Sequence, residues 1–145
     1  MAVVRYEFLH HIADAKFRAF GSTMEEAFEN AALAMFNVMI DTSGYEPEQV
    51  RDFELTAPDT RRLLVDWLSE LLYLFEVDEI LFCEFKIQSI KAAGDGFTLR
   101  GHASGVPIDT SKHIFDTQVK AVTFHELEVQ QDREGSYWVQ VVVDT

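Results

Sequence analysis

The sequence predicts an α+β fold in which two helices pack on one face of a largely antiparallel β-sheet. Two segments repeat apolar residues at three- and four-residue intervals, which is the spacing of a buried helical stripe. The other apolar segments are short and rich in β-branched and aromatic residues, which favours strands. Along the chain the order is strand, strand, helix, strand, helix and then four strands, so most strands are separated from the helices.

The first predicted helix runs from Thr23 to about Ile40. Its start has the spacing of a capping box, formed either by Ser22 with Glu25 or by Thr23 with Glu26. Its apolar stripe consists of Met24, Phe28, Ala31, Met35, Val38 and Met39.

The second predicted helix runs from Arg61 to Glu76 and follows a start signal at Pro58-Asp59-Thr60. Its apolar arc is wider than that of the first helix. This width predicts that the second helix is the more buried of the two.

The strands are predicted from short apolar or alternating runs bounded by polar residues and glycines. Gly94-Asp95-Gly96 predicts a turn between two of them, and the polar segment Gly105–Thr117 predicts a connection across the sheet edge. The predicted strands are Val3–Leu9, Ala15–Phe20, Val50–Leu55, Ile80–Ile90, Gly96–Ser104, Gln118–Val129 and Tyr137–Asp144.

The chain of 145 residues fits one domain, residues 1–145, because 48% hydrophobic residues provide enough apolar surface for a core. The formal net charge is −13, from 12 basic and 25 acidic residues, and no short window holds a cluster of Lys and Arg. Proteins that bind nucleic acid directly neutralise its phosphates with such clusters. We therefore expect the isolated protein to have no affinity for RNA at physiological salt. The excess carboxylate favours a hard cation or a basic partner, although solubility alone would explain it equally well.

Cys83 is the only cysteine, which excludes an internal disulfide and a cysteine-based zinc site. It lies in the apolar run Ile80–Phe85, as a small core residue would. The first residues turn polar too early for a signal peptide, and no apolar run reaches the ~18 residues of a membrane span. These features predict a cytoplasmic protein.

Three separated parts of the chain carry acidic or imidazole groups of the kind that bind cations. Each also has an explanation without a ligand, namely a structural histidine, an exposed loop residue or a frayed terminus. No serine lies in a G-x-S-x-G elbow, so a serine hydrolase is not indicated. The three groups are His10-His11 with Asp14 between two strands, Asp41 at the end of the first helix, and Asp144 with the carboxylate of Thr145.

Four motifs in this order resemble the archease family: YEFLHHIAD, AFGSTMEEAFENAALAMFNVMIDT, VKAVTFHELEV and WVQVVVDT. The resemblance runs from about Tyr6 to Thr145 and is weaker at Tyr45–Asp59 and around Gln88–Gly101. It implies an accessory protein of an RtcB-type RNA ligase, which acts in tRNA splicing and RNA repair. Such a ligase uses GTP and manganese to guanylylate its own active-site histidine. A family member would promote that step and restore turnover, would have no reaction of its own, and would meet RNA only through the ligase.

The same resemblance implies a divalent cation site, with calcium as the expected ion and manganese or magnesium as alternatives. Family acidic positions match Asp14, Asp41 and Asp144, and the carboxylate of Thr145 is a plausible addition. Lys120 matches the lysine of the family's K-A-x-T motif. It would screen the acidic groups or contact the ligase or its nucleotide, unless it is an ordinary surface lysine.

Some positions near these motifs leave the metal preference open. His10 stands where the family usually has Asp, and Ile12 where it usually has Thr. The loss of a carboxylate beside His11 would favour a borderline transition metal over calcium, and His11 itself is a candidate for supporting the ligands or contacting the partner. His125 matches a family histidine, either as a ligand or as a histidine satisfied within the sheet.

Two other classes of function stay open from the residues alone. A metal-dependent hydrolase would need a second cluster to hold a base and a leaving group, and the sequence indicates none. A chaperone-like binding module would need an exposed apolar patch.

Overall fold

Two antiparallel sheets enclose two helices in the computed structural model, which describes residues 4–9 and 14–145. The helices are α1 (Met24–Met39) and α2 (Thr60–Val77). The strands are β1 (Tyr6–Leu9), β2 (Ala15–Gly21), β3 (Gln49–Ala57), β4 (Ile80–Ala93), β5 (Gly96–Pro107), β6 (Ala121–Val122), β7 (Glu128–Gln131) and β8 (Tyr137–Asp144).

The larger sheet has the order β1-β2-β8-β6, and β7 also pairs with β8. The smaller sheet has the order β3-β5-β4. Alternate residues of the central strands β2 and β8 are fully buried because they face α1. They are Phe17, Ala19, Val139, Val141 and Val143.

Helix α1 begins at a capping box. Thr23 Oγ1 accepts a hydrogen bond from Glu26 N (3.1 Å), and Glu26 Oε1 accepts one from Ser22 N (3.2 Å). This confirms the predicted pairing of Thr23 with Glu26. Asn30 Nδ2 then donates to Phe20 O (2.7 Å), which fastens the helix to β2.

Helix α2 is capped by Asp59, whose Oδ1 accepts from Arg62 N (2.8 Å). Trp67 Nε1 donates to Phe28 O of α1 (3.1 Å), and the Trp67 ring meets Phe53 of β3 edge-on, with centroids 5.1 Å apart. The helices therefore lie against each other, with α1 packed against β2 of the larger sheet and β4 of the smaller, and α2 packed mainly on the smaller sheet. Within the described residues, neither helix combines the length and the apolar character needed to cross a membrane.

The prediction that the second helix is the more buried one is wrong. Eight of the 16 residues of α1 are buried, against seven of the 18 residues of α2. The reason is that α1 is enclosed by β2, β4 and α2, and its alanines let these neighbours approach closely. These are Ala27, Ala31, Ala32 and Ala34.

The predicted α+β class, with two helices and mostly antiparallel strands, is confirmed. The structure adds that the strands divide between two sheets. It also splits the predicted strand Gln118–Val129 into β6 and β7, because the chain between them leaves the sheet. β5 continues to Pro107, so the long connection begins later than predicted. The predicted turn at Gly94-Asp95-Gly96 is present, with Gly94 at φ +59°.

Candidate metal centre

The end of β8 brings Asp144 between two other segments of the larger sheet. On one side, Ala15 of β2 pairs with Val143, and this register leads one residue further to Asp14 beside Asp144. On the other side, Ala121 pairs with Asp144, and Lys120 N donates to Asp144 O (2.7 Å). Asp14 directly precedes the end of β2 that lies beside Asp144, and Lys120 lies on the other side of Asp144.

The groups at this end of the sheet are accessible to solvent to different degrees. Asp144 and Lys120 are exposed, whereas Asp14 and Thr145 are partly buried. A cation held between Asp14 and Asp144 would therefore keep one side open to a partner or to water.

Asp41 follows α1 and is exposed, in a segment that was predicted to be a loop. Its Oδ1 accepts hydrogen bonds from Ser43 N (3.0 Å) and Ser43 Oγ (2.7 Å). These two bonds hold the pKa of Asp41 below its usual value, so the carboxylate stays ionised. The pKa of the Tyr6 phenol in β1 is raised, first by burial and then by the negative charge of Asp41. This effect indicates that Asp41 lies near Tyr6.

The segment 116–120 shows that Asp41 and Asp144 lie at the same end of the molecule. Asp116 N donates to Met39 O, two residues before Asp41 (2.7 Å), and Lys120 N donates to Asp144 O. Four residues of extended chain span at most about 14 Å, which bounds the separation of the two donor nitrogens. Asp41 therefore lies toward the same end of the molecule as Asp144.

The described residues do not by themselves form a complete ligand cluster. Among residues 4–9 and 14–145, no three His, Cys, Asp or Glu side chains lie close enough together to hold a metal ion. His10, His11 and Ile12 lie outside the described residues. The predicted role of His11 and the effect of the replacements at positions 10 and 12 therefore stay predictions.

The carboxylates lie apart from two sizeable cavities of the molecule. One cavity, of about 460 Å³, lies beside Phe20, Trp138 and Ser22, and another, of about 450 Å³, lies beside Tyr45 and His113. Neither is lined by the three acidic residues. The carboxylates at the end of β8 therefore do not line either of these two cavities.

Cys83 offers no nucleophile to either cavity. It is partly buried in β4, and its Sγ lies 3.9 Å from Tyr45 O. Burial, and to a lesser extent the charge of Glu84, raises the pKa of the thiol. A raised pKa leaves little reactive thiolate at neutral pH.

Sequence comparison connects this chain with known proteins. A sequence model of the archease protein family (MTH1598/TM1083) matches residues 6–145. The chain belongs to the archease family.

Individual relatives are similar to the chain over almost its whole length. Protein archease of Methanosarcina acetivorans is 51% identical over 140 residues, which cover 97% of this chain and 95% of the relative. Protein archease of Methanothermobacter thermautotrophicus is 45% identical over 139 residues, which cover 96% of this chain and 97% of the relative. The solution structure of Methanobacterium thermoautotrophicum protein 1598 is 42% identical and superposes with a TM-score of 0.82, covering 97% of this chain and 99% of that one.

The segment VKAVTFHELEV, residues Val119–Val129, adjoins the end of β8 and differs from its predicted structure. Sequence reasoning treated it as one strand and left His125 either as a ligand or as a sheet histidine. His125 lies not within the sheet but in the turn between β6 and β7, where it is exposed and its Nε2 is 3.3 Å from Glu126 Oε2. Its role as a ligand stays a prediction. Glu126 also has a positive φ of 53°, which no local signal in the sequence predicts because glutamate rarely adopts it.

Proposed function

We propose that this protein binds a divalent cation at the end of β8 and activates an RtcB-type RNA ligase in the cytoplasm. It promotes the GTP-dependent guanylylation and the turnover of the ligase in tRNA splicing and RNA repair. It carries out no chemistry of its own. The observation that supports the proposal is the pairing of β2 with β8, which ends at Ala15 and Val143, directly beside Asp14 and Asp144, in a chain of the archease family.

The residues present suit a hard cation. Asp14, Asp41 and Asp144 offer carboxylate oxygens, which calcium, magnesium and manganese prefer. Two carboxylates on opposed strands repel each other unless a proton or a cation neutralises them. The carboxylate of Thr145 would add a further oxygen ligand. When bound, the cation would supply positive charge that attracts and orients phosphate oxygens.

The surroundings of the site support contact with a protein rather than with free RNA. The formal net charge of −13 repels a phosphate backbone and attracts a basic surface. Lys120 is an exposed cation next to Asp144 and would contact the ligase or its nucleotide. RNA would then be held by the ligase and not by this protein.

The open position of the site favours an accessory role over hydrolysis. A metal-dependent hydrolase needs a recess that orients a substrate and excludes competing reactions around the metal. The carboxylates lie outside both of the cavities described above. The isolated protein is therefore expected to be inactive on generic phosphoester substrates.

The test is the amount of guanylylated ligase formed from the purified ligase, GTP and manganese, with and without this protein. The parent protein should increase both the guanylylated fraction and the number of RNA joining events per ligase. Asp14→Asn and Asp144→Asn should each abolish the increase. Asp95→Asn, in the exposed turn between β4 and β5, is the matched control and should act like the parent.

Matched circular dichroism spectra should show that all three variants remain folded. If Asp14→Asn or Asp144→Asn activates as well as the parent, that residue does not belong to the site. Hydrolysis of phosphoesters by the protein alone would favour the hydrolase instead.

A further inference from the structure

The chain between β6 and β7 leaves the sheet as a large bulge. Val122 pairs with Val143 and Glu128 pairs with Gln140, so residues 123–127 stand opposite only residues 141 and 142 of β8. We call residues 123–127 the β6–β7 bulge. Bulges are built features that redirect side chains out of a sheet.

Several interactions fix the conformation of the β6–β7 bulge. Thr123 donates to Val142 O through both N (3.2 Å) and Oγ1 (2.7 Å). Gln140 Nε2 donates to Glu126 O (2.8 Å). Leu127 is 3% exposed and anchors the end of the bulge in the core. These contacts impose the left-handed backbone of Glu126, which an unconstrained glutamate would avoid.

The fixed bulge presents a large apolar side chain to water. Phe124 is 53% exposed, although Leu127, three residues later in the same turn, is buried. Lys16 of β2 extends across to the bulge, with Nζ 3.5 Å from Glu126 Oε1. Since Lys16 alternates with the buried Phe17, the bulge lies on the face of the sheet that points away from α1.

The position of Phe124 connects it with the candidate metal centre. It follows Ala121, the residue paired with Asp144, by only three positions. Asp14, Asp144 and Glu126 lie at this end of the sheet together with Lys16 and Lys120, and the whole chain has a net charge of −13. This net charge favours a covering surface that is apolar at Phe124 and basic elsewhere. RNA and an anionic membrane lack this combination.

We propose that Phe124 is an anchor that inserts into an apolar pocket on a protein partner, with basic residues bordering that pocket. This inference rests on the proposed function, under which the partner is the RNA ligase. Interface energy concentrates in a few aromatic or arginine side chains held in a fixed conformation, and a rigid bulge loses little entropy when its aromatic tip is buried. Docking of Phe124 would bring the Asp14–Asp144 pair to the ligase at the same time.

The experiment measures the affinity of the purified ligase for the parent protein, Phe124→Ala, Phe124→Leu and Tyr73→Ala by isothermal titration calorimetry. Tyr73 is the matched control, because it is an aromatic residue of α2 with 54% exposure. Phe124→Ala should weaken binding about tenfold or more, whereas Tyr73→Ala should change it less than about twofold. Phe124→Leu should retain most of the affinity, because the pocket recognises apolar volume.

A second measurement separates this inference from the proposed function. The rise in melting temperature caused by calcium should be the same for Phe124→Ala as for the parent, since Phe124 is not a ligand. If the parent activates the ligase and Phe124→Ala binds it equally well, the anchor is overturned and the proposed function stands. If the parent neither binds nor activates the ligase, both are overturned. Concentration-dependent dimers of the parent that Phe124→Ala abolishes would assign the anchor to a second copy of the chain instead.

Discussion

Glu79 shows how a single residue is held in a conformation that its side chain disfavours. It follows the end of α2, and its φ is 55°, in the left-handed region where glycine is the usual choice. A residue with a Cβ atom loses about 1–2 kcal/mol there, and a negative charge also interacts poorly with the C-terminal end of a helix. The left-handed backbone conformation is held because Glu79 O accepts a hydrogen bond from Ile108 N (2.8 Å), which joins α2 to the end of β5.

Glu79→Gly should therefore stabilise the protein. Relief of the left-handed strain outweighs the extra freedom of glycine in the unfolded chain, for a net gain of about 0.5–1 kcal/mol in the free energy of unfolding. Urea denaturation followed by circular dichroism measures it. Glu76→Gly is the control within the last turn of the same helix, and should lose about 1 kcal/mol. Equal losses in both variants would show that Glu79 is not strained.

At the residue scale, sequence reasoning succeeded where the chemistry is local. Thr23 and Asp59 are side chains that cap the helix directly after them, so their spacing is sufficient to predict their role. Glu79 and Glu126 are different, because their positive φ values are imposed by partners distant in sequence. The residues next to each glutamate in the sequence therefore do not predict its positive φ.

At the scale of the elements, the contact between α1 and β4 contains the carboxylate of Glu29, which is partly shielded from water. Glu29 Oε2 accepts a hydrogen bond from Ile87 N (2.8 Å) on the edge of β4 that β5 does not cover. Burial raises the pKa of Glu29, and the bond to Ile87 and the charge of Lys86 offset only part of this effect. Because the folded pKa is above the unfolded one, the stability gained from protonated Glu29 is complete below the unfolded pKa and is lost as pH rises through the folded pKa.

Glu29→Gln should consequently be more stable than the parent at pH 7. The amide oxygen can still accept from Ile87 N, but it avoids the cost of a partly desolvated charge near Glu25 and Glu26. The advantage should shrink as pH falls through the raised pKa of folded Glu29 and should be gone below the ordinary value of 4.5, where Glu29 is neutral in both the folded and the unfolded protein. Chemical denaturation at pH 7 and at acid pH gives the two differences. A difference that does not change with pH would contradict this account.

The pairing of β4 with β5 depends on glycines that a strand would otherwise disfavour. A Cβ atom at Gly101 would lie 2.5 Å from Lys86 O, and the register shifts by one residue between Ile87 and Ser89 just beside it. The obstacle is backbone, which cannot rotate away as a side chain can. The glycine and the irregularity in β4 therefore require each other.

Gly101→Ala should destabilise the protein by about 1–3 kcal/mol, which is the usual cost of forcing extra volume into a packed site. The entropy that alanine removes from the unfolded chain is worth less, about 0.4–1 kcal/mol in the opposite direction. Urea denaturation measures the net effect. Ser104→Ala, on the same strand and partly exposed, is the control and should stay within about 0.5 kcal/mol of the parent. A Gly101→Ala protein as stable as the parent would show that the strands can separate without cost.

The elements themselves were largely predictable, whereas their assembly was not. Both helices follow from their apolar periodicity, and the β4–β5 turn follows from Gly94-Asp95-Gly96. The division into two sheets depends on which strands pair over long sequence distances, and periodicity carries no such information. The split of the predicted strand Gln118–Val129 has the same cause, because Glu126 is fixed by Gln140 and Lys16 from other strands.

At the scale of the whole molecule, the candidate site illustrates the same limit. Asp14, Asp41 and Asp144 are far apart in sequence, and from the residues alone each was better explained without a ligand. Only the resemblance to the archease family grouped them. In the described part of the structure, β2, α1 and β8 have an end at the same side of the molecule, and the grouping of the three carboxylates around a cation stays a prediction.

The charge of the whole molecule makes metal binding measurable as stability. The formal net charge is −13, and the carboxylates at the end of β8 add local repulsion that a cation would remove. A cation that binds only the folded protein stabilises it by about 2.7 kcal/mol when its free concentration is 100 times its dissociation constant.

Calcium, magnesium and manganese should each raise the melting temperature, and the rise caused by manganese should be the larger if His10 or His11 takes part. Asp144→Asn should remove most of the rise, whereas Asp95→Asn should leave it unchanged. A melting temperature that responds to none of the three metals would remove the physical basis of the site and leave the family resemblance as its sole support.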